Sequence, residues 1–362
     1  MNGNPSDLIM TILILMVFTY LSRELEIMRA ISEAENYLVA FKRSRDRAFE
    51  ILVKQFQNYA DSKEEHVLKA KLQKLIEITY ILPVDLDPFG IVKKIKHIVK
   101  TAEREIERDV SSIAKNASKT DIQNLINLVE AVRALNFLYK IINHYYLIAR
   151  KFKSLWLILQ LNAQLPFISE EFKALEGALE AFKNGIPIGD TAGPLVVAKL
   201  LRKYKDVRHY EPVKDSEIDE TIINGRRVFL VKAKGPGATV GHLDDALRWI
   251  LEREKISFII SIDAALKLEG EETGIISHGF GVAMGGIGVE RFEIEELATR
   301  YNIPLYAVLI KMSEAEASSV MNEKIFKAVE ETVQIIEEVI NERTLPSSNI
   351  VILGVGNTIG VP

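Results

Sequence analysis

The spacing of apolar residues changes once along the chain, near residue 184. Before this point, from about residue 22 to 183, apolar residues recur at intervals of three and four, as in Ile31, Ala34 and Leu38. This period matches one face of an α-helix and predicts long helices throughout the segment. Beyond residue 184, short continuous apolar runs alternate with glycine-rich loops and stretches of helical period, which predicts an α/β domain.

Two local signals divide the helical segment. Residues 83–88 read Pro-Val-Asp-Leu-Asp-Pro, where Asp87 is a predicted helix cap and Pro88 the first residue of the next helix. Thr120 and Gln123 have the spacing of a capping box and predict the start of a third long helix. The segment is expected to form a helical bundle or stalk. Such a stalk is either a spacer with a packed core or a sensor and assembly element that joins copies of the chain in a homo-oligomer.

The second segment carries predicted strands, each a continuous run of apolar residues. They are expected at residues 227–231, 258–262, 274–277, 305–310 and 350–353. Helical patterns fall between them, at residues 194–204, 241–254, 293–301 and 313–341. Continuous apolar strands that alternate with helices predict a three-layer α/β domain with a mostly parallel sheet.

The first apolar run has the composition of a membrane helix. Residues 8–21 read LIMTILILMVFTYL, and no charged residue lies between Asp7 and Arg23. As a helix this uncharged stretch would span about 22 Å, against ~30 Å of hydrocarbon, so it is a marginal span. A secretory signal peptide fits less well, because no basic residue precedes the run and no A-x-A cleavage signal follows it. Basic residues concentrate on its C-terminal side, which predicts a single-pass anchor with the body of the protein in the cytoplasm.

The pattern therefore predicts three parts. They are a membrane anchor at residues 1–22 that contacts lipid, a helical bundle or stalk at 23–183, and an α/β domain at 184–362. A buried or interfacial terminal helix is the alternative to a true anchor. A second apolar run, at residues 155–161, is too short to span a membrane and is predicted to be buried.

Composition removes several classes of function. The 362 residues include 46 Lys and Arg and 50 Asp and Glu, a net charge of −4 that does not indicate nucleic-acid binding. Residues 184–362 hold 20 basic and 27 acidic residues, which leaves 26 − 23 = +3 for the part before them. A basic membrane-proximal part suits an anionic leaflet. The absence of cysteine excludes thiol nucleophiles and thiolate metal sites, so any chemistry must use other groups.

Polar residues lie where α/β proteins commonly bind ligands, after the predicted strands. Asp263 ends an apolar run, and a buried carboxylate there serves as a helix cap, a metal ligand or an acid–base group. Asp190 lies in a turn before a predicted helix with Pro194 in its first turn, which is typical of an N-cap. A glycine turn, residues 354–357, follows the last strand.

A second glycine-rich loop is the better candidate for binding an anion. Residues 235–241 lead into a predicted helix, whereas no helix follows the turn at 354–357. If this loop held a nucleotide or another small anion, the protein would be a membrane sensor or scaffold without catalytic activity. A plain loop is the alternative interpretation.

Four sequence blocks are notable when taken together. They are Leu353-Gly-Val-Gly-Asn357, Asp190-Thr-Ala-Gly-Pro-Leu-Val-Val197, Phe258-Ile-Ile-Ser-Ile-Asp-Ala264, and the glycine-rich run from His278 to Arg291. Jointly they resemble the spore germination protease and the related hydrogenase maturation peptidases. In that family the Gly-x-Gly-Asn turn runs directly into the Asp-x-x-Gly-Pro helix start, whereas here the two lie at opposite ends of the domain. The resemblance therefore implies a circularly permuted domain of the phosphorylase/hydrolase type. The length and the N-terminal apolar run also resemble an archaeal membrane-anchored family of unknown function.

The resemblance to the spore protease implies hydrolysis of a peptide or protein substrate by two aspartates. Asp190 would act as general base or position the water, and Asp263 would be its proton-sharing partner. The maturation peptidases place acidic residues and a histidine around a metal. This implies a divalent-metal site of Asp190, Asp263 and His278, with His242 as a second candidate ligand.

Substrate contacts are expected from small residues and one amide side chain in the same blocks. These residues are Gly193, Gly279, Gly281, Gly354, Gly356 and Asn357. Backbone amides of the 354–357 turn would hold the oxyanion. Three further glycines would extend a flexible loop facing the substrate, namely Gly285, Gly286 and Gly288.

Overall fold

The computed structural model describes residues 5–60, 64–78, 90–204, 206–284 and 289–362. The predicted helix start at Asp87 and Pro88, and the glycines at 285, 286 and 288, lie outside these residues. The chain forms two compact units. Unit 1 comprises Met1–Glu50 with Val132–Lys173, and unit 2 comprises Ile51–Ala131 with Ala174–Pro362.

The first half of the chain consists of helices joined by short turns in its described ranges. Its helices are α1 (Pro5–Gln57), α2 (Glu65–Ile76), α3 (Ile91–Ile113), α4 (Lys119–Phe152) and α5 (Leu155–Asn184). The predicted long helices are therefore confirmed. Helices α1, α4 and α5 each pass from one unit into the other, so the limits of the units differ from the expected boundary at residue 183. The division into anchor, stalk and α/β domain stays a prediction.

The start of α4 differs from the predicted capping box. The Oγ of Ser118 accepts a hydrogen bond from the amide of Asp121 at 3.2 Å, and the Oδ2 of Asp121 accepts one from the amide of Ser118 at 3.1 Å. This reciprocal pair caps the helix two residues before Thr120. The Nε2 of Gln123 instead donates to the Oδ1 of Asp215 at 3.2 Å, a long-range contact within unit 2.

In unit 1, part of α1 packs with parts of α4 and α5. Two contacts join α1 to α5: Asn162 donates to the carbonyl of Ala30 at 3.0 Å, and Phe172 stacks on Phe41 with ring centroids 4.2 Å apart. A third joins α1 to α4, where the Arg45 guanidinium lies 4.3 Å from the Tyr139 ring. Residue numbers rise together along α1 and α5, so these two helices run parallel. The turn between α4 and α5 must therefore lie toward the N-terminal part of α1.

The N-terminal part of α1 is apolar and exposed. The helix contains an 18-residue window with a mean hydropathy of 1.8, and none of that window is buried. By length and composition it qualifies as a helix that can cross a membrane, a test that a signal sequence also passes. The absence of burial separates it from an ordinary core helix.

Unit 2 contains a seven-stranded sheet in its described residues, with the order β1-β2-β3-β7-β4-β6-β5. The strands are β1 (Arg208–Val213), β2 (Ser216–Ile223), β3 (Arg226–Ala233), β4 (Phe258–Leu266), β5 (Ile276–Phe280), β6 (Leu305–Met312) and β7 (Asn349–Gly354). The four central strands β3, β7, β4 and β6 are parallel, and β1, β2 and β5 pair antiparallel. All five predicted strands form. Strands β1 and β2 were not predicted, because they carry many polar residues.

Helices cover both faces of the sheet. On one face, α6 (Ala192–Lys203) and α10 (Glu323–Arg343) share a hydrophobic core cluster with the strands. On the other face, α7 (Leu243–Leu251) and α8 (Val289–Tyr301) share a second hydrophobic cluster with them. These layers confirm the expected three-layer α/β architecture. The single helix predicted at residues 313–341 is two helices, α9 (Glu314–Ser318) and α10, because Ser313 and Asn322 each cap a separate start.

Candidate functional site

Asp190 lies in a 3-10 turn (Gly189–Thr191) that leads directly into α6. Its Oδ2 accepts a hydrogen bond from the backbone amide of Asn357 at 2.8 Å. Burial raises the pKa of the Asp190 carboxyl, and the hydrogen bond from Asn357 opposes that effect only in part. The residue nevertheless keeps part of its surface accessible to solvent. A carboxyl with these properties is suited to proton transfer.

Glycines let the C-terminal turn approach α6 closely. A Cβ atom on Gly356 would lie 1.9 Å from the carbonyl oxygen of Asp190, and Gly356 has a φ of +127°. A Cβ on Gly193 would lie 2.2 Å from the carbonyl oxygen of Val355, and one on Gly354 would lie 2.8 Å from that of Gly193. These glycines permit contact between two segments of the chain. Contact with a substrate stays a prediction for them and for Asn357.

Asp263 lies inside β4 rather than at its end, because the strand continues to Leu266. The neighbouring strand β7 stops earlier. Its last residue, Gly354, pairs with Ile262, and the amide of Val355 donates to the carbonyl of Ile262 at 2.8 Å. Asp263 is 4% exposed and stands one residue beyond this point. The turn that contains Asp190 also contacts β4, so both aspartates lie at the same edge of the sheet as the C-terminal turn.

His278 lies apart from the two aspartates. It is exposed on β5, the outer strand, and β6 separates it from β4. At ~4.8 Å per strand, two strand spacings place its backbone about 10 Å from that of β4. Its Nδ1 lies 2.7 Å from the hydroxyl oxygen of Tyr306. The structure therefore does not assemble the expected metal-ligand set of Asp190, Asp263 and His278, and we derive no step through a metal.

Gly279 and Gly281 also lie away from the aspartates. Because β5 pairs antiparallel with β6, it runs toward the amino-terminal edge of the parallel strands. The amide of Gly281 donates to the carbonyl of Leu305, the first residue of β6, at 3.0 Å. Asp263 instead pairs with Leu309, near the other end of β6. Gly279 pairs with Ala307, which is level with Ser261 of β4, so it lies between the two edges on the outer strand. The antiparallel direction of β5 thus carries Gly281, and not Gly279, to the opposite edge.

Several amides of the 354–357 turn are engaged within the protein. The amide of Val355 binds the Ile262 carbonyl, and the amide of Asn357 binds Asp190. The side chain of Asn357 accepts a hydrogen bond from the amide of Ile359 at 2.9 Å. The turn therefore does not present all of its amides as a preformed oxyanion site.

The 235–241 loop is packed against the protein's own chain. A Cβ on Gly235 would lie 1.6 Å from the carbonyl oxygen of Val361, and one on Gly237 would lie 1.9 Å from the Oε1 of Gln123. The helix that follows, α7, carries two aspartates in its first turn. Negative side chains at a helix N-terminus disfavour a bound anion. The anion-binding alternative thus gains no support from this loop.

An ionic cluster that was not predicted from the sequence joins α3 to α7 and α8. The ammonium of Lys96 donates to the Oε2 of Glu293 at 3.0 Å and to the Oδ1 of Asp245 at 3.2 Å, and it also forms a short ion pair with Asp244. Asp244 is fully buried. The three carboxylates place oxygens within 4.8 Å of one another, the one such group among the described residues. The Lys96 ammonium lies among them and offsets their charge.

Further titratable groups border this ionic cluster. Burial, together with the charges of Asp244 and Glu103, raises the pKa of Glu290 to about 7. Burial also raises the pKa of Glu103. Burial would lower the pKa of Lys96, but hydrogen bonds and charges from its carboxylate partners outweigh that effect and raise it. His242, the second candidate ligand, precedes α7, and among the described residues its buried Nδ1 has no hydrogen-bond partner.

A buried lysine also borders the edge where Asp190 lies. Lys232, near the end of β3, is 1% exposed and pairs with Glu217 at 2.5 Å. Its neighbour across the sheet is Gly354, the last residue of β7. A run of apolar residues predicts a strand but does not show that a lysine and a glutamate on neighbouring strands form a buried ion pair. No sequence pattern therefore predicts the pair of Lys232 and Glu217.

The fold and the site define a mixed α/β protein with a long apolar N-terminal helix and two aspartates at the carboxyl edge of its parallel strands. The chain belongs to the DUF1512 family: residues 8–185 match the protein of unknown function (DUF1512) N-terminal domain, and residues 188–362 match the domain of unknown function (DUF1512) C-terminal. Comparison with curated proteins gives no match. The expected membership of an unknown-function family is confirmed, while the resemblance to the spore germination protease stays a prediction.

Proposed function

We propose that this protein is a membrane-anchored hydrolase that cleaves peptide bonds with Asp190 and Asp263, and that its α/β domain lies in the cytoplasm. The observation that carries the proposal is the setting of Asp190. Its carboxyl is held by the Asn357 amide, has a raised pKa, and remains partly accessible at the carboxyl edge of the parallel strands. Such edges are where α/β proteins bind their ligands.

The two aspartates divide the proton transfers of amide hydrolysis. Ionised Asp190 takes a proton from water while the water oxygen bonds to the carbonyl carbon of the substrate. Protonated Asp263 gives its proton to the leaving nitrogen as the carbon–nitrogen bond breaks. The burial that raises the pKa of Asp190 makes it a stronger base in this step.

The position of the C-terminal turn supports a permuted peptidase-like domain. A Cβ on Gly360 would lie 2.8 Å from the carbonyl oxygen of Gly185, so the last residues of the chain lie beside the segment that leads to Asp190. In the resembling family the same turn continues directly into the same helix start. Spatial closeness of the two segments is what a permutation requires.

The exposed apolar residues at the start of α1 support the membrane anchor. Leu8, Met16 and Phe18 are each more than 60% exposed, which is costly in water and favourable in lipid. Basic residues follow the apolar segment, which favours a cytoplasmic location for the rest of the chain.

The proposal is tested by cleavage of a peptide library with the full-length protein in detergent micelles. We expect Asp190→Asn and Asp263→Asn each to lower kcat/KM by at least about 100-fold, since each removes a proton-transfer group. Asp109→Asn, on α3, is the matched control and should cleave at the wild-type rate. Thermal unfolding of each variant separates loss of chemistry from loss of fold. No cleavage by the wild type, or unchanged cleavage by Asp190→Asn, would refute the proposal.

A further inference from the structure

The turn between α4 and α5 exposes large aromatic and basic side chains together. Phe152 is 69% exposed and Trp156 is 71% exposed. Arg150, Lys151 and Lys153 are exposed beside them. We name residues 150–156 the hairpin tip. Aromatic rings combined with long basic side chains are typical of surfaces that lie at the boundary of a membrane.

The predicted burial of the 155–161 run holds only on one side of the helix. Ile158 is 1% exposed, whereas Trp156 projects away from the core of unit 1. A tryptophan left this exposed has a large apolar surface without a protein partner among the described residues. Such a surface indicates a binding function.

The hairpin tip lies next to the end of the apolar segment of α1. The Nζ of Lys153 is 3.1 Å from the Oε2 of Glu24. Glu24 is three residues beyond Leu21, the last residue of the apolar run, which is about 4.5 Å along a helix axis. Each headgroup layer is roughly 5–7 Å thick. When the apolar run lies in hydrocarbon, the hairpin tip therefore lies at the depth of the headgroups.

The helices that meet at the hairpin tip lead away from this level. Asn162 contacts Ala30, and Phe172 stacks on Phe41, so α5 follows α1 away from the apolar segment. Only the turn itself, with its aromatic and basic side chains, remains beside the boundary. This placement depends only on contacts within unit 1.

We propose that the hairpin tip is a second membrane contact, which inserts Phe152 and Trp156 into the headgroup layer of an anionic leaflet. Arg150 and Lys151 bind lipid phosphates, while Lys153 stays paired with Glu24. The inference rests on the proposed membrane anchor and extends it, because a second contact fixes the rotation of unit 1 about α1. Lipid is the occupant rather than a second copy of the chain, because two basic hairpin tips would repel each other.

The two tryptophans of the chain make the contact directly measurable. Trp249→Phe leaves Trp156 as the only indole, and Trp156→Phe leaves Trp249, which packs near Tyr210 and Arg253 in unit 2. Each full-length variant is reconstituted in phosphatidylcholine vesicles that contain phosphatidylserine. Quenching is then measured with lipids that carry a spin label near the headgroup or near the end of the acyl chain.

We expect the headgroup-level label to quench Trp156 at least about twofold more strongly than the deep label, because an indole at the membrane interface lies closer to the headgroups. Trp249 should be quenched by neither label. Arg150→Gln with Lys151→Gln, in the Trp249→Phe background, should weaken the quenching of Trp156 in vesicles with phosphatidylserine. Absence of quenching of Trp156 would overturn the proposal, as would dimers in detergent that Trp156→Ala dissociates.

A further variant separates this inference from the anchor on which it rests. Ile14→Trp, in a background with both native tryptophans replaced by Phe, places the only indole in the middle of the apolar run. Strong quenching by the deep label at position 14 with none at Trp156 would refute the hairpin-tip contact alone. Absence of quenching at position 14 would refute the anchor, and the cleavage assay tests the hydrolase separately.

Discussion

Replacement of Lys96 by methionine would test the energetics of the ionic cluster. Methionine keeps the apolar stem of the side chain but removes the ammonium that contacts Asp244, Asp245 and Glu293. Asp244 is fully buried, so its charge would remain without its compensating ion pair. Breaking a buried ion pair in this way costs about 3–5 kcal/mol of unfolding free energy. Lys100→Met is the matched control, because Lys100 pairs with the partly exposed Asp245 at 2.6 Å and should contribute no more than about 1 kcal/mol.

Urea unfolding of the full-length protein in detergent micelles measures this difference. In a Trp156→Phe background, the fluorescence of Trp249 reports on α7, the helix that carries Asp244. The loss caused by Lys96→Met should shrink as the pH is lowered, because protonation removes the uncompensated carboxylate charges. A loss below about 1 kcal/mol, or equal losses for the two lysine variants, would contradict the importance given to this cluster.

Two further predictions concern Glu290 and Gly356. The pKa of Glu290 is raised to about 7, so between about pH 4.5 and pH 7 the folded protein keeps a proton that the unfolded chain has lost. The free energy of unfolding should therefore fall by up to roughly 3 kcal/mol as the pH rises through this interval. Glu290→Gln should remove that decline in urea unfolding, and an unchanged decline would show that another group causes it. Gly356→Ala should cost at least about 3 kcal/mol, because its Cβ would collide with the Asp190 carbonyl at a positive φ. A change in its unfolding free energy within about 1 kcal/mol would show that the turn adjusts without strain.

The period of the apolar residues by itself determined most of the secondary structure. Long helices before residue 184 and the four central strands β3, β4, β6 and β7 after it follow from this period, because a helix or a central strand must bury a regular set of side chains. The same reasoning failed for β1, whose RHYEPV sequence lies at the sheet edge and is stabilised by pairing with β2 rather than by burial. The capping-box spacing of Thr120 and Gln123 placed the start of α4 two residues too late, because Ser118 and Asp121 form the reciprocal pair instead.

For the candidate site, the sequence determined the chemical groups and the tertiary structure determined which of them meet. Asp190 was singled out because it lies in a turn before a predicted helix, and Asp263 because it ends a predicted strand; their catalytic role stays a prediction. The hydrogen bond from Asn357 to Asp190 joins residues 167 positions apart, and the ion pair from Lys96 to Asp244 joins residues 148 apart. Only the packing of helices and strands in the tertiary structure decides such meetings. The position of β5 as the outer strand, two strands from β4, keeps His278 away from the aspartates, and its antiparallel direction carries Gly281 toward the opposite edge. Local sequence sets a strand's periodicity but neither its place nor its direction within the sheet.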